Sequence, residues 1–264
     1  MRPNRLRQLL NEGKPSLGTV VVSPWPGLVE IIGLAGGFDY IEYSGEYSPF
    51  SLEQLDHFGR SMERFPKMTA MMKVDEHNRA FIATRALGAG LQNVLFTGCR
   101  SAEEVKECIR VVKSSTPETG GTLGMSQRRA YNYMLDEDLP GYIKAMDETV
   151  VCVAIENKEA VDNIEEILSV PGLDMIYFGP QDYSVSVGKP GRRDDPEIKK
   201  VRSNVAKLAV KKGVAMRMSA YNLEQMKQFL DMGIRHFCAG NDLRILFGWY
   251  QDQSQKVQEL LAKA

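Results

Sequence analysis

Two acidic residues follow consecutive apolar segments in the middle of the chain, each where a strand would end. Glu156 closes the run Val150–Ile155, and Asp182 lies just past Met175–Phe178, after a Gly-Pro break. Neighbouring parallel strands deliver their carboxyl ends to the same edge of a sheet, so we expect the two carboxylates to lie close together. Such groups repel one another unless one is protonated or both bind a cation. No His or Cys accompanies them, so hard oxygen ligands favour Mg²⁺ or Mn²⁺, with Co²⁺ as a further candidate.

The same spacing has an interpretation without a metal ion. Glu156 would then pair with Lys158 or Arg217, and Asp182 would only cap a helix. The spacing alone leaves both interpretations open.

Apolar segments of strand length alternate with helical segments along the whole chain, which predicts a (β/α)₈ TIM barrel formed by one domain, residues 1–264. An extra helix precedes the first strand, and a helix of about 20 residues closes the chain. An open doubly wound sheet is the alternative, but no GxGxxG turn follows the first strand. The predicted strands are residues 17–22, 38–43, 68–74, 93–97, 150–156, 174–178, 214–218 and 236–239.

The ends of the second and third strands add further candidates, because active sites of such barrels lie at the carboxyl ends of the strands. Ser44, Glu46 and Tyr47 follow the second strand, and Lys73 lies at the end of the third. Lys73 is either a Schiff-base nucleophile or a cation at the rim. His77 is the histidine nearest the predicted mouth, and a catalytic role for it is a further hypothesis.

A basic and aromatic insert between the fourth and fifth strands carries Arg128 and Arg129. Two adjacent guanidinium groups can hold a substrate carboxylate through paired hydrogen bonds. The alternative is that both arginines lie on a solvated face.

The composition narrows the classes of partner. The 264 residues are 43% apolar and 25% charged, and 33 basic residues against 34 acidic ones give a net charge of −1. This balance indicates neither nucleic acid nor an anionic membrane as a partner. No apolar run reaches the roughly 20 residues that a membrane span needs, and the basic N-terminus lacks the apolar core of a secretion signal. The four cysteines show no metal-binding spacing, which predicts reduced thiols and a cytoplasmic protein.

Three motifs carry a resemblance to a known family. Residues 36–46 (GGFDYIEYSGE), 153–160 (VAIENKEA) and 178–184 (FGPQDYS) resemble the HpcH/HpaI aldolases. These are class II, metal-dependent, pyruvate-using aldolases of the phosphoenolpyruvate/pyruvate barrel superfamily. The similarity runs nearly from end to end of the chain.

The resemblance implies roles for the residues that match the family's motifs. Glu156 and Asp182 match the two metal-binding carboxylates, and the ion would chelate a 2-oxo acid such as pyruvate and stabilise its enolate. Gly179, Pro180 and Gln181 would bind the substrate. Backbone N–H groups around Gln181 and Asp182, at the start of a helix, would hold the substrate's carboxylate. The closing helix would pack on a neighbouring subunit, in homo-oligomers such as hexamers built from dimers.

The chain departs from the family's pattern at the groups that transfer protons. The aldolases have Asp-Gly-Glu-His after the second strand, and the His acts as general base with an Asp that would fall near Gly88. Here the loop reads Ser44-Gly-Glu46-Tyr47, and Lys73 replaces an arginine that contacts the substrate. A Tyr with its ordinary pKa near 10 is a poor base at neutral pH, unless the metal or Lys73 lowers that pKa. Tyr47 could still donate a proton or orient a water.

Three functions follow as hypotheses. The first is a metal-dependent carbon–carbon lyase on 2-oxo or hydroxy acids, in which Tyr47, His77 or metal-bound water replaces the base. The second is an oxaloacetate-type decarboxylase, which needs no such base. The third is a protein that binds 2-oxo acids without catalysis.

Overall fold

Eight parallel strands form a closed barrel in the computed structural model, which describes residues 2–219 and 222–264. Each strand pairs with the next, and β8 pairs with β1 to close the sheet. The (β/α)₈ prediction is therefore confirmed, and the open doubly wound sheet is wrong. The strands are β1 Ser16–Val21, β2 Tyr40–Ser44, β3 Thr69–Val74, β4 Asn93–Phe96, β5 Val150–Ile155, β6 Met175–Phe178, β7 Ala215–Ser219 and β8 His236–Asn241.

The strands are buried on both faces, which explains why most of them are nearly continuous apolar runs. Inside the barrel, Tyr40, Met71 and Met175 belong to one apolar cluster that Leu6 of the first helix completes from the N-terminal end. Leu6 is fully buried there. The predicted extra helix thus closes the end of the barrel that lies opposite the strand termini at which active sites form.

Twelve α-helices and one 3₁₀ segment surround the strands in the part of the chain that the structure describes. The 3₁₀ segment is Arg129–Met134. The helices are α1 Arg5–Asn11, α2 Pro26–Ala35, α3 Leu52–Met62, α4 Arg79–Ala89, α5 Ala102–Arg110, α6 Leu139–Asp147, α7 Lys158–Asp162, α8 Ile164–Ile167, α9 Pro180–Ser186, α10 Pro196–Lys212, α11 Leu223–Asp231 and α12 Asp242–Leu261.

Two segments differ from the sequence-based expectation. The polar sequence of residues 183–195 predicts a long loop, but the first four of these residues continue α9, whose first residue is Pro180. Proline suits that position because it has no N–H group, and an N–H group at the first position of a helix would have no partner within the helix. The sequence of residues 158–168 predicts a single helix, but the structure divides it at Asn163, where the backbone leaves helical geometry.

The closing helix α12 leaves the barrel with its apolar side chains exposed. Asp242 is buried at its start, where the carboxylate accepts hydrogen bonds from the N–H groups of Val22 (3.0 Å) and Ser23 (2.8 Å) at the end of β1. Beyond this anchor, large apolar residues remain about half exposed or more: Leu243, Ile245, Leu246, Phe247, Trp249, Tyr250, Val257, Leu260 and Leu261. No helix within the described ranges is both long and apolar enough to cross a membrane.

Candidate functional site

A cavity of about 290 Å³ opens at the carboxyl ends of the strands, where barrel enzymes carry their active sites. Charged and polar side chains from β2, β3, β7 and the segments that follow β6 and β8 surround it. Its lining residues include Glu42, Ser44, Tyr47, Lys73, Pro180, Gln181, Asp182, Arg193, Arg217, Ser219 and Arg244.

Glu156 and Asp182 both lie beside Gly179, as their positions after neighbouring strands predicted. A Cβ atom on Gly179 would lie 3.2 Å from Glu156 Oε2 and 3.8 Å from Asp182 Oδ2. Glu156 is 8% exposed, and its Oε1 accepts a hydrogen bond of 2.8 Å from the N–H group of Gly98. Asp182 is exposed on α9. Because Gly179 has no side chain, two carboxylate oxygens can both lie within 4 Å of this one position.

This arrangement fits a divalent cation. Burial raises the pKa of Glu156. The Gly98 N–H group and Lys73 partly offset that rise, whereas the carboxylates of Asp182 and Glu46 add to it. A cation between the two carboxylates would remove this repulsion. Within residues 2–219 and 222–264, no group of three or more His, Cys, Asp and Glu side chains is placed to hold a metal ion. Two protein carboxylates would thus leave the other positions of the ion to substrate and water, as is usual for Mg²⁺.

The alternative ion pairs predicted for Glu156 do not form. Lys158 pairs with Asp162 along α7 at 2.5 Å, and Arg217 pairs with Glu42. No salt bridge engages Glu156 among the residues described.

Lys73, Glu46 and Tyr47 form one network across the cavity mouth. The Lys73 ammonium group forms an ion pair with the Glu46 carboxylate and donates a hydrogen bond of 3.0 Å to the Tyr47 hydroxyl. Lys73 Nζ also lies 4.5 Å from the centre of the Tyr47 ring. Lys73 is buried at the end of β3, whereas Tyr47 is 59% exposed.

The network fixes the protonation of both residues. Burial by itself would lower the pKa of Lys73, but Tyr47 and Glu46 outweigh it, so that the pKa is raised. A Schiff-base nucleophile must be a neutral amine, so this arrangement does not support that role for Lys73. Desolvation of the Tyr47 hydroxyl raises its pKa, and Lys73 only partly offsets that rise. Tyr47 is therefore protonated at neutral pH. Lys73 does not lower the pKa of Tyr47 enough to make it a base.

The other predicted residues near the mouth have different surroundings. Ser44 is buried at the end of β2 and lines the cavity. Pro180 and Gln181 also line the cavity. The N–H group of Gly179 donates to the carbonyl oxygen of Ile155 (3.0 Å), so it is not available to a substrate. Pro180 has no N–H group to offer. His77 is exposed in the turn after β3.

The structure does not bring Arg128 and Arg129 to this cavity, contrary to the predicted carboxylate clamp. Arg129 pairs with Asp56 (2.8 Å) and Glu63, and it donates to the carbonyl oxygen of Ala89 at the end of α4. Arg128 packs across Gly88 and donates to a carbonyl oxygen of α4. Helix α4 runs from the mouth towards the opposite end of the barrel, so within one chain both guanidinium groups lie away from Glu156 and Asp182.

Sequence reasoning missed a second charged pair that lies below the mouth. Glu42 and Arg217 form a buried ion pair, with 3% and 2% of their surfaces exposed, and both line the cavity. The signal was available, because each is a charged residue inside an otherwise apolar strand, and such a residue needs a partner. Arg193 and Arg244 also line the cavity and were not among the candidates.

Comparison with known proteins identifies the class of enzyme. The 4-hydroxy-2-oxo-heptane-1,7-dioate aldolase of Escherichia coli is 26% identical over 248 residues, which cover 92% of this chain and 90% of that enzyme. The 4-hydroxy-2-oxovalerate aldolase of Novosphingobium aromaticivorans is 28% identical over 240 residues, which cover 90% and 88% of the two chains. Both names describe enzymes that act on 4-hydroxy-2-oxo acids.

A solved structure and a family profile extend the comparison. A HpcH/HpaI aldolase/citrate lyase family protein of Burkholderia cenocepacia J2315 superposes with a TM-score of 0.88 over 97% of this chain and 100% of that one. At 23% identity this likeness concerns the fold alone. The profile of the HpcH/HpaI aldolase/citrate lyase family, whose enzymes depend on a divalent metal, matches residues 53–247. Because the match covers most of the chain, the protein belongs to the HpcH/HpaI aldolase/citrate lyase family and is an aldolase-type carbon–carbon lyase.

Proposed function

We propose that this protein cleaves or forms a carbon–carbon bond in 2-oxo or hydroxy acids, with a divalent cation held by Glu156 and Asp182. The observation that carries the proposal is the pair of carboxylate oxygens that approach Gly179, next to a cavity at the barrel mouth. The relatives named for 4-hydroxy-2-oxo acid aldolases support the same substrate class. Mg²⁺ and Mn²⁺ suit two oxygen ligands best, and Co²⁺ remains a further candidate.

The cation, when bound, would stabilise the negative charge that develops on the oxo acid as the bond breaks. The chain's own residues would orient the substrate and manage its protons. Lys73 is a buried, charged group at the end of β3, where it can attract the substrate's carboxylate. Ser44, next to it across the β2–β3 register, offers a hydroxyl group at the cavity wall.

Tyr47 is the proposed proton donor. In cleavage, the hydroxyl group of the substrate loses its proton and becomes a carbonyl, while the electron pair of the broken bond stays on the oxo acid fragment. That fragment needs a proton on carbon to leave as the free oxo acid. A protonated Tyr47 beside the Lys73 ammonium group can supply it, because Lys73 stabilises the phenolate that remains. A water molecule in the open cavity takes up the substrate's hydroxyl proton as the bond breaks, and it returns that proton to the Tyr47 phenolate afterwards.

A second candidate reaction is decarboxylation of an oxaloacetate-type acid. It is favoured by the protonation of Tyr47 and by the pairing of Glu46 with Lys73, because neither Tyr47 nor Glu46 is then a free base. Loss of CO₂ produces the same charged fragment without removal of a hydroxyl proton. It therefore needs only the proton donor.

The two reactions are separated by an assay on the purified protein with EDTA and with added Mg²⁺ or Mn²⁺. Metal-dependent cleavage of a 4-hydroxy-2-oxo acid to pyruvate supports the lyase, and CO₂ release from oxaloacetate without any aldol reaction supports the decarboxylase. Glu156→Gln keeps the acceptor for the Gly98 N–H group and removes the charge, so we expect loss of at least about 99% of either activity. Metal-dependent binding of pyruvate or oxalate without turnover would indicate a binding protein, and activity that survives both EDTA and Glu156→Gln refutes the proposal.

We also propose that the protein is a homo-oligomer in which α12 packs on a second copy, as in a dimer or a hexamer built from dimers. The exposed apolar side chains of α12 support this, because such a surface is seldom left in water.

A further inference from the structure

The Glu42–Arg217 pair joins opposite sides of the barrel interior beneath the mouth. Glu42 lies on β2 and Arg217 on β7, and these strands are separated by β1 and β8 in the closed sheet. Each residue precedes by two positions a serine at the end of its strand, Ser44 or Ser219, that lines the cavity. Since side chains two positions apart face the same side of a strand, the pair forms the next layer down and is the polar floor of the cavity.

Arg217 has one hydrogen-bond donor that the rest of the described chain does not use. Its Nη2 atom pairs with Glu42 Oε2, and the guanidinium lies 4.3 Å from the centre of the Tyr177 ring. Its Nε atom is buried and has no hydrogen-bond partner among the residues that the structure describes. An unsatisfied buried donor is unfavourable in a folded protein, and in a cavity wall it is a place for an acceptor atom of a ligand.

The chemistry of the pair selects the kind of ligand group. Glu42 already neutralises the charge of Arg217, and its carboxylate would repel a second carboxylate at the floor. An apolar group would leave Arg217 Nε without a partner. A hydroxyl group accepts a hydrogen bond from Arg217 and donates one to Glu42, so it alone of these three groups satisfies both residues.

We propose that Glu42 and Arg217 are specificity-determining residues that bind a hydroxyl group on the substrate's carbon chain, beyond the 2-oxo acid end. This inference rests on the proposed function, because the oxo acid end must be held near Glu156 and Asp182 for the rest of the molecule to reach the floor. The substrate class is then a hydroxylated 2-oxo acid whose aldehyde fragment retains a hydroxyl group.

Inert oxamates test the proposal by binding, without any need for turnover. Oxamate mimics the 2-oxo acid end, and N-(2-hydroxyethyl)oxamate differs from N-ethyloxamate by one hydroxyl group. With Mg²⁺ present, calorimetry should show that the hydroxyethyl compound binds at least about tenfold more tightly than the ethyl compound. The double variant E42L/R217M replaces the ion pair by apolar side chains of similar size, a change that buried pairs tolerate well. In it we expect the ratio of the two affinities to fall to about one, and taking the ratio within each variant cancels any general loss of affinity.

A matched control and two further ligands make each outcome decisive. The double variant K158M/D162L removes an exposed ion pair on α7 and should keep the wild-type ratio. Equal affinities for the two oxamates in the wild type, or an unchanged ratio in E42L/R217M, would overturn the proposal. In either case, Mg²⁺-dependent binding of plain oxamate would still support the metal site. Preference for N-(2-carboxyethyl)oxamate that is lost in E42L/R217M would also overturn it, in favour of a carboxylate site. Failure of plain oxamate to bind would refute the proposed function, and this inference with it.

Discussion

Replacement of Gly179 by alanine tests the metal site through geometry alone. The new Cβ atom would lie 2.8 Å from Glu156 Cβ, which is 0.6 Å closer than the 3.4 Å at which ordinary contacts begin. Gly179 has φ −91° and ψ 86°, so its backbone does not itself require glycine. The clash involves the base of the Glu156 side chain and not its flexible end. Glu156 must therefore move relative to Asp182.

The size of that movement sets the expected effect. Metal sites tolerate displacements of about 0.2 Å in their ligands, and a shift of a few tenths of an ångström beyond this disturbs the pair. We expect the affinity for Mn²⁺ to fall about 10–100-fold, as it does when groups that orient metal ligands are changed. Overpacking should also lower the free energy of unfolding by about 1–3 kcal/mol.

Calorimetric titration of the metal-free protein with Mn²⁺ measures the effect, and urea unfolding measures stability separately. Gly124→Ala is the matched control, because a Cβ atom there would have no neighbour within 4 Å and its φ does not favour glycine. An unchanged Mn²⁺ affinity in a folded Gly179→Ala variant, or an equal loss in Gly124→Ala, would refute the assignment of Glu156 and Asp182.

Three further predictions concern other parts of the molecule. Lys73→Met should lower kcat/KM at least about tenfold, because Glu46 loses its cation and Tyr47 loses its hydrogen-bond partner. Lys73→Arg should restore part of the activity, and full activity in Lys73→Met would contradict the prediction. Burial lowers the pKa of His236 from 6.5 to about 4, so the unfolded chain takes up a proton that the native protein does not. Stability should therefore fall as the pH drops from 6.5 to 4, by up to about 3 kcal/mol from this residue, and urea unfolding should show a smaller fall in His236→Asn. L246E/F247E on α12 should produce monomers in sedimentation experiments, and a monomeric wild type would exclude the proposed assembly.

The strands and the positions of Glu156 and Asp182 were predictable because local sequence determines them. Each predicted strand lies within two residues of the observed one, since a parallel barrel buries its strands on both faces and makes them apolar runs. Glu156 and Asp182 directly follow two such runs, so the barrel alone brings them together. Local sequence likewise predicts Ser51 as the N-cap of α3, and its hydroxyl accepts a hydrogen bond of 3.1 Å from the N–H group of Gln54.

The rest of the site depends on contacts between distant parts of the chain. Arg129 follows Asp56 and Glu63 by 73 and 66 residues, and only the folded chain shows that these acids hold it away from the mouth. Arg217 and Glu42 are 175 residues apart, so their pairing cannot be inferred from spacing. The protonation of a residue such as Tyr47 follows in the same way from what surrounds it in three dimensions.

The anchor of α12 has a consequence for any measurement on this protein. Asp242 joins the start of that helix to the end of β1, and Arg244 in its first turn lines the cavity. If α12 docks on a second copy, assembly and ligand binding share these residues and become thermodynamically linked. A ligand that strengthens assembly must itself bind more tightly to the assembled form, by the same factor. Apparent affinities would then depend on protein concentration, and dilution alone would change them.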